Sequence, residues 1–191
     1  MKNLIFILIA VFITACSLKQ EANDINSYSI DTPKIEKIYK NSSKSIFIEK
    51  PAINSSFNSR AIFYSTKPYL YEEYVKNRWI NLPSNMIHSS LVDAFESSKS
   101  FSLVSQEKSD IKYDYILSSN VIKLYHEIET NSSNAILKIK FDLSKDEKVI
   151  KTFTYEKRVQ VLQNNPYEFV NSTNKAFSEI VVQLLKDINS L

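Results

Sequence analysis

The chain has 191 residues, a net charge of +3 from 24 Lys and Arg against 21 Asp and Glu, one cysteine and no glycine. Charges of both signs are interspersed, which argues against long-range steering toward nucleic acid, and the lone cysteine excludes an internal disulfide. Without glycine no backbone can cradle a phosphate closely or take positive φ at no cost, so Walker A, the dinucleotide fingerprint, the nucleophile elbow and the EF-hand loop are all excluded.

Lys2 opens the chain, Leu4 to Phe12 form an unbroken apolar run, and Ile13-Thr14-Ala15-Cys16 follows. This is the build of a secretory signal over residues 1–15, too short for a spanning helix. The tetrapeptide resembles the lipobox of bacterial lipoproteins. That resemblance implies that Cys16 becomes the first mature residue, with diacylglycerol on its sulfur and an acyl chain on its amine. This covalent lipid is the only cofactor-like group expected. Several acyl chains anchor stably where one holds weakly, at about 0.8 kcal/mol per buried methylene. Ser17, rather than Asp, stands second in the mature chain. By the sorting rule of enteric lipoproteins this implies the outer membrane, with the domain facing the periplasm. Residues 16–27 are polar and unpatterned, a tether reaching on the order of 35 Å when extended.

A single domain is expected over residues 28–191, large enough for one core. Tyr28 to Ile30 begins a strand that Asp31-Thr32-Pro33 ends. Ser45 to Glu49 is a short apolar strand stopped by Pro51, and Arg60 to Ser65 is the next. Tyr69 to Val75 is extended but imperfect in period. Leu82-Pro83-Ser84 enters a helix whose apolar face carries Ile87, Leu91, Ala94 and Phe95 and which ends near Lys99. Phe101 to Val104 returns as a strand. Tyr113 to Ile128 is one long strand with a bend. Leu137, Ile139, Phe141 and Leu143 alternate with polar residues, as do Phe153, Tyr155, Val159 and Val161, giving two strands with one wet face each. Turns are expected at Asn131 to Asn134 and at Lys145-Asp146-Glu147. A last helix begins near Pro166. The fold class is α+β, a mostly antiparallel sheet with two main helices packed on one face.

Catalytic signals are weak. His88 and His126 have no second ligand nearby in sequence, and adjacent Glu72 and Glu73 point to opposite faces of an extended segment. No metal-ligand spacing occurs. The chain is expected not to be an enzyme. The candidate contact set for a partner or lipid is Tyr69, Tyr71, Tyr74, Arg78 and Trp79, because Tyr, Trp and Arg concentrate binding energy at interfaces. Packing at a core edge accounts equally well for Trp79 and some of the tyrosines.

The order of these pieces carries a family resemblance. A lipobox precedes Tyr28-Ser29-Ile30-Asp31-Thr32-Pro33, then Arg60-Ala61-Ile62-Phe63-Tyr64, Tyr71 and Tyr74 ahead of Arg78-Trp79, and Leu82-Pro83 before a helix with Leu91-Val92-Asp93-Ala94-Phe95, closed by Phe101. This resembles the ABC-type transport auxiliary lipoproteins, which include the paraquat-inducible intermembrane-transport type, most closely over residues 28–105. Asn54-Ser55-Ser56 stands where the family usually has glycine. The resemblance implies a non-catalytic accessory subunit. Its partners would be a mammalian-cell-entry (MCE) type substrate-binding protein with its permease and ATPase, and its cargo phospholipids or related lipids moved between membranes. Two further readings are a structural envelope lipoprotein scaffolding another complex and a lipid-binding lipoprotein acting alone.

Overall fold

The computed structural model describes residues 24–31, 33, 35, 42–107 and 111–191. The signal segment, Cys16 and Ser17 lie outside these residues. The elements in chain order are β1 (Asn26–Tyr28), β2 (Ser42–Ile48), β3 (Ala52–Ile53), β4 (Ala61–Ser65), β5 (Glu72–Trp79), α1 (Pro83–Ser98), β6 (Phe101–Ser105), β7 (Tyr115–Ile128), β8 (Ser133–Lys145), β9 (Lys148–Gln160) and α2 (Pro166–Ile188).

Strand β7 is the spine of one open sheet. Along one edge it bonds β8 in an antiparallel ladder from Ile116–Ser144 to Ile128–Ser133, and β8 bonds β9 the same way. The other edge is shared by three short strands laid end to end, all parallel to it: β2 at Tyr115–Leu117, β3 at Asn120–Val121 and β4 at His126–Glu127. Strand β5 runs antiparallel beside β4. β1 lies parallel outside β5, and β6 lies parallel outside β2. The fold is α+β, and its long ladders are antiparallel as expected. The short N-terminal strands pair mostly in parallel, because the chain crosses over between them. A period of two does not encode strand direction.

A register shift between Val121 and Lys123 explains the broken period of β7. Before it, Leu117, Ser119 and Val121 are buried; after it, Leu124 and His126 are. One extra residue exchanges the parity that faces the core. Strand β8 has no such slip there and presents Ala135, Leu137, Ile139, Phe141 and Leu143 to the core in strict alternation.

Both helices cover that face. Helix α1 packs on β2 and β6, α2 packs on β8 and β9, and the helices touch each other. Pro83 sits in the first turn of α1, and Lys99 closes it in the left-handed region with φ of 53°. Asn165 caps α2 by accepting a bond from the Glu168 amide at 2.9 Å, which satisfies one orphan donor of the first turn. The α2 stripe from Phe169 through Phe177, Ile180, Val181 and Leu184 meets β8 in one continuous core with Ile87, Leu91 and Phe95 of α1. None of the helices among the described residues is long and apolar enough to cross a membrane.

Some expected boundaries move. Asn26 and Ser27, read as tether, pair with Asn77 and Arg78. The first strand therefore spans residues 26–28 rather than 28–30, and Ile30 beyond it is buried. The β7–β8 turn falls on residues 129–132, closed by the Glu129 amide on the Ser132 carbonyl at 2.8 Å. Ser133 and Asn134 already belong to β8. The β8–β9 turn is where it was expected. Lys145 and Lys148 pair around it, and Asp146 and Glu147 take φ of 48° and 62°, the primed geometry that matches strand twist.

Candidate functional site

Five positions of β5 span only two of β4, since Arg78 opposes Ala61 and Glu73 opposes Phe63. The surplus residues bulge outward and carry Val75, 89% exposed, into solvent. Bulges at sheet edges re-aim side chains in this way. The bulge also separates the five aromatic and basic candidates into different surroundings.

Tyr69 sits in the turn before β5 with φ of 69°, and its side chain is wholly exposed. Tyr71 is half-exposed and lies edge-on to Phe57 at 5.5 Å and to Tyr125 at 5.2 Å. Tyr74 turns inward, its hydroxyl 2.8 Å from His126 Nδ1. Arg78 lies on the β1 side, where its Nε donates to Ser27 Oγ at 3.4 Å. Trp79 is 2% exposed and packs against Phe169 of α2 at 6.2 Å. Trp79 is therefore core, and the surface set reduces to Tyr69, Tyr71 and part of Arg78, joined by Val75.

Behind Tyr74 lies a polar chain that sequence spacing did not show. His126 is fully buried, stacked on Phe169 at 4.9 Å and 15°, with Nε2 2.6 Å from Ser133 Oγ. Burial pushes the Tyr74 phenol up to about 12 and the imidazole down to about 4, so both are neutral. A protonated phenol donates to Nδ1, which assigns the proton on the ring to Nε2, donating to Ser133 Oγ. In that tautomer His126 has no lone pair free to accept the Ser133 proton. The Tyr74–His126–Ser133 chain fastens β5, β7 and β8 together rather than activating a nucleophile. His88 is fastened too, its Nε2 2.9 Å from the Ile48 carbonyl. No cluster of three or more His, Cys, Asp or Glu able to hold a metal occurs among the described residues.

The sheet face away from the helices carries two further features. One is a cluster of four rings, in which Phe57 meets Phe63 edge-on at 5.9 Å and stacks with Tyr125 at 6.3 Å, with Tyr71 between. Asn54 holds the loop that brings Phe57 there, accepting from the Ser56 amide on its side chain at 3.0 Å and from the Phe57 amide on its carbonyl at 2.8 Å. Asn54 thus shapes this loop through both its side chain and its carbonyl. The other feature is an ion-pair lattice. Glu156 accepts from Lys138 at 2.8 Å and Lys123 at 2.9 Å, and these two ammoniums hold its carboxyl down at about 2. Arg158 pairs with Glu127, and Lys140 pairs with Asp142 at 2.8 Å. Phe57, Phe63 and Tyr125 were missed as neighbours of Tyr71, since they come from three separate segments and the bulge in β7 hides the parity of Tyr125.

No protein-family model matches the chain, and no curated protein matches it. Solved structures do. A Xanthomonas campestris protein, XCC0632, described as belonging to family DUF330, superposes with a TM-score of 0.71 at 18% identity, covering 84% of this chain and 90% of that one. A protein described only as uncharacterized gives 0.70 at 12% identity, covering 86% and 98%. The hypothetical protein CT253 of Chlamydia trachomatis gives 0.54 at 6% identity, covering 75% and 96%. At these identities the fold is what is shared.

Proposed function

We propose that the chain is a non-catalytic accessory lipoprotein, anchored through Cys16 in the outer membrane and facing the periplasm, that serves an MCE-type ABC transporter of phospholipids or related lipids. The observation that carries this reading is Ile13-Thr14-Ala15-Cys16 behind a nine-residue apolar run, leading into the Tyr71-to-Phe101 pattern. The fold shared with the DUF330 protein over most of both chains supports it. The exposed part of the β5 edge, with Tyr69, Tyr71 and Val75, is the surface offered to the MCE-type protein or its permease. Exposed aromatics beside a bulge provide area with little side-chain entropy to lose. The fastened histidines support a holding role over a chemical one.

Two measurements test the reading separately. Metabolic labelling with a fatty-acid probe marks the wild-type protein, while Cys16→Ala is unmarked and leaves the membrane fraction or stays as precursor. An unmarked wild-type protein in soluble periplasm rejects the anchor. Affinity capture of the lipidated protein brings down MCE-type and permease subunits. Repeated capture without either rejects the transporter role and leaves the anchor standing.

A further inference from the structure

A cleft of about 390 Å³ opens on the helix side at the sheet end where β8 turns into β9. Its floor is apolar: Phe101 and Tyr115 meet edge-on at 6.2 Å, and Leu143 and Ile188 are buried beneath. Among the residues at its mouth, Ile150 and Leu191 stand 48% and 68% exposed.

Several polar groups of the cleft are already engaged: Asn189 Nδ2 donates to Ser100 Oγ at 3.1 Å, Ser42 Oγ donates to the Ser100 carbonyl at 2.9 Å, and the Lys44 amide donates to Ser42 Oγ at 3.4 Å. The C-terminal end of α2 borders the cleft and turns partial negative charge toward it. Two ammoniums also line it. Lys44 is tied to Asp114 at 3.2 Å. Lys145 sits 6.0 Å above the Tyr115 ring, and no carboxylate among the described residues pairs with it.

We propose that this cleft binds a single-chain anionic amphiphile of the fatty-acid class, its carboxylate at Lys145 and its alkyl chain along Phe101, Tyr115 and Ile188 toward Ile150 and Leu191. The charge pattern selects the sign and the position of the head. An anion is drawn to the unpaired ammonium and turned away from the helix end. The apolar floor and the exposed rim select a hydrocarbon tail. The volume lies at the small end of ligand sites, room for one chain rather than two. This site is remote from the β5 edge, and the proposal stands whether or not a transporter subunit binds there.

The test uses the full chain in phosphatidylcholine vesicles with a diazirine-bearing fatty acid, photolysed and mapped by peptide mass spectrometry. Adducts are expected on the segments holding Ile150 and Leu191, with the corresponding fatty alcohol at least fivefold weaker. Lys145→Gln lowers labelling roughly three- to fivefold, the size of one exposed charge contact, and Lys145→Arg retains it. Ile150→Glu, at an exposed position, abolishes labelling with an unchanged melting temperature. Equal labelling by the alcohol, adducts only elsewhere, or indifference to both Lys145→Gln and Ile150→Glu overturns the proposal. Preferential labelling by a diazirine phosphatidic acid overturns its single-chain form.

Discussion

The two faces of the sheet are built from alternate residues of the same strands, yet they are held by different forces. On the helix side Leu137, Ile139 and Phe141 of β8 share one buried cluster with Phe177, Ile180 and Leu184 of α2. Some polar groups there are given a partner, as Tyr155 is by Asp187 at 2.6 Å, while the buried hydroxyls of Ser84, Ser119 and Thr173 have none among the described residues. On the open side Lys138 and Lys140 of the same strand enter an ion-pair lattice, and the rings of Phe57, Phe63, Tyr71 and Tyr125 form a small satellite cluster. Burial supplies most of the stability on the first face. Exposed pairs supply little on the second. Strand β5 and the residue just before it contribute to both faces and protrude beyond them at Val75, with Trp79 and Tyr74 turned to the core and Tyr71 to the open face. That position suits the proposed contact surface: its inner residues fix the backbone that its outer residues display.

The sharpest way to break this contrast is to truncate one ring on each side. Trp79→Ala should cost about 3–5 kcal/mol in urea unfolding, as a large ring leaves a cavity in a packed core. Tyr71→Ala should cost about 1 kcal/mol, as expected of a half-exposed residue. Equal losses would mean that the open-face cluster is a second core rather than a satellite.

The next effect separates the faces by pH. Desolvation lowers His126 from its usual 6.5 to about 4 in the folded protein, so between these values the unfolded chain binds more protons. Stability therefore falls as pH drops from about 6.5 toward 4, then levels, by on the order of 3 kcal/mol. Protonation would also remove the acceptor for Tyr74. A difference curve between the wild type and His126→Gln should show this slope, measured by unfolding at stepped pH. Glu156 on the open face is held down at about 2 by its lysines. The stability it contributes is present above its unfolded pKa and is lost only as pH falls toward 2, outside the window of His126. A slope unchanged in His126→Gln would place the titrating group elsewhere.

The β8–β9 turn belongs to neither face but sets the register of both. Asp146 and Glu147 both hold positive φ in a chain that has no glycine to offer. Glu147→Gly should raise stability by about 1 kcal/mol, since the side chain resists the left-handed region more than glycine does. A loss on substitution would show that Glu147 makes a compensating contact.

Much of this was legible in the sequence where the period was clean. Strand β8, the Pro-led helices and the β8–β9 turn follow from alternation, capping chemistry and turn residues. The misreadings have local causes. The β7 bulge at Val121–Lys123 reverses parity midway, so Tyr125 and His126 could not be assigned to faces. The β5 bulge scrambles Tyr71, Tyr74 and Trp79 in the same way, which is why a surface set and a core tryptophan looked alike. Parallel pairing of β1, β2, β3 and β4 depends on where crossovers carry the chain. The Tyr74–His126–Ser133 chain joins β5 to the β7–β8 hairpin and leaves no spacing signal.

The smallest expected effect on stability tests the contact surface most directly. Tyr69 touches solvent on every side and holds φ of 69°, a conformation unfavourable for a bulky residue. Its ring contributes nothing to the core, so its removal is a change in surface alone. Tyr69→Gly relieves the backbone while freeing the unfolded chain, two effects of opposite sign, and melting should shift by less than about 0.5 kcal/mol. If the β5 edge holds a partner, capture of MCE-type or permease subunits should nonetheless weaken by tenfold or more, the effect of losing an aromatic anchor worth about 2 kcal/mol. Tyr69→Phe, which keeps the ring, should retain most of it. A Tyr69→Gly protein that melts and captures like the wild type would remove this turn from the contact surface and leave Tyr71 and Val75 to carry it.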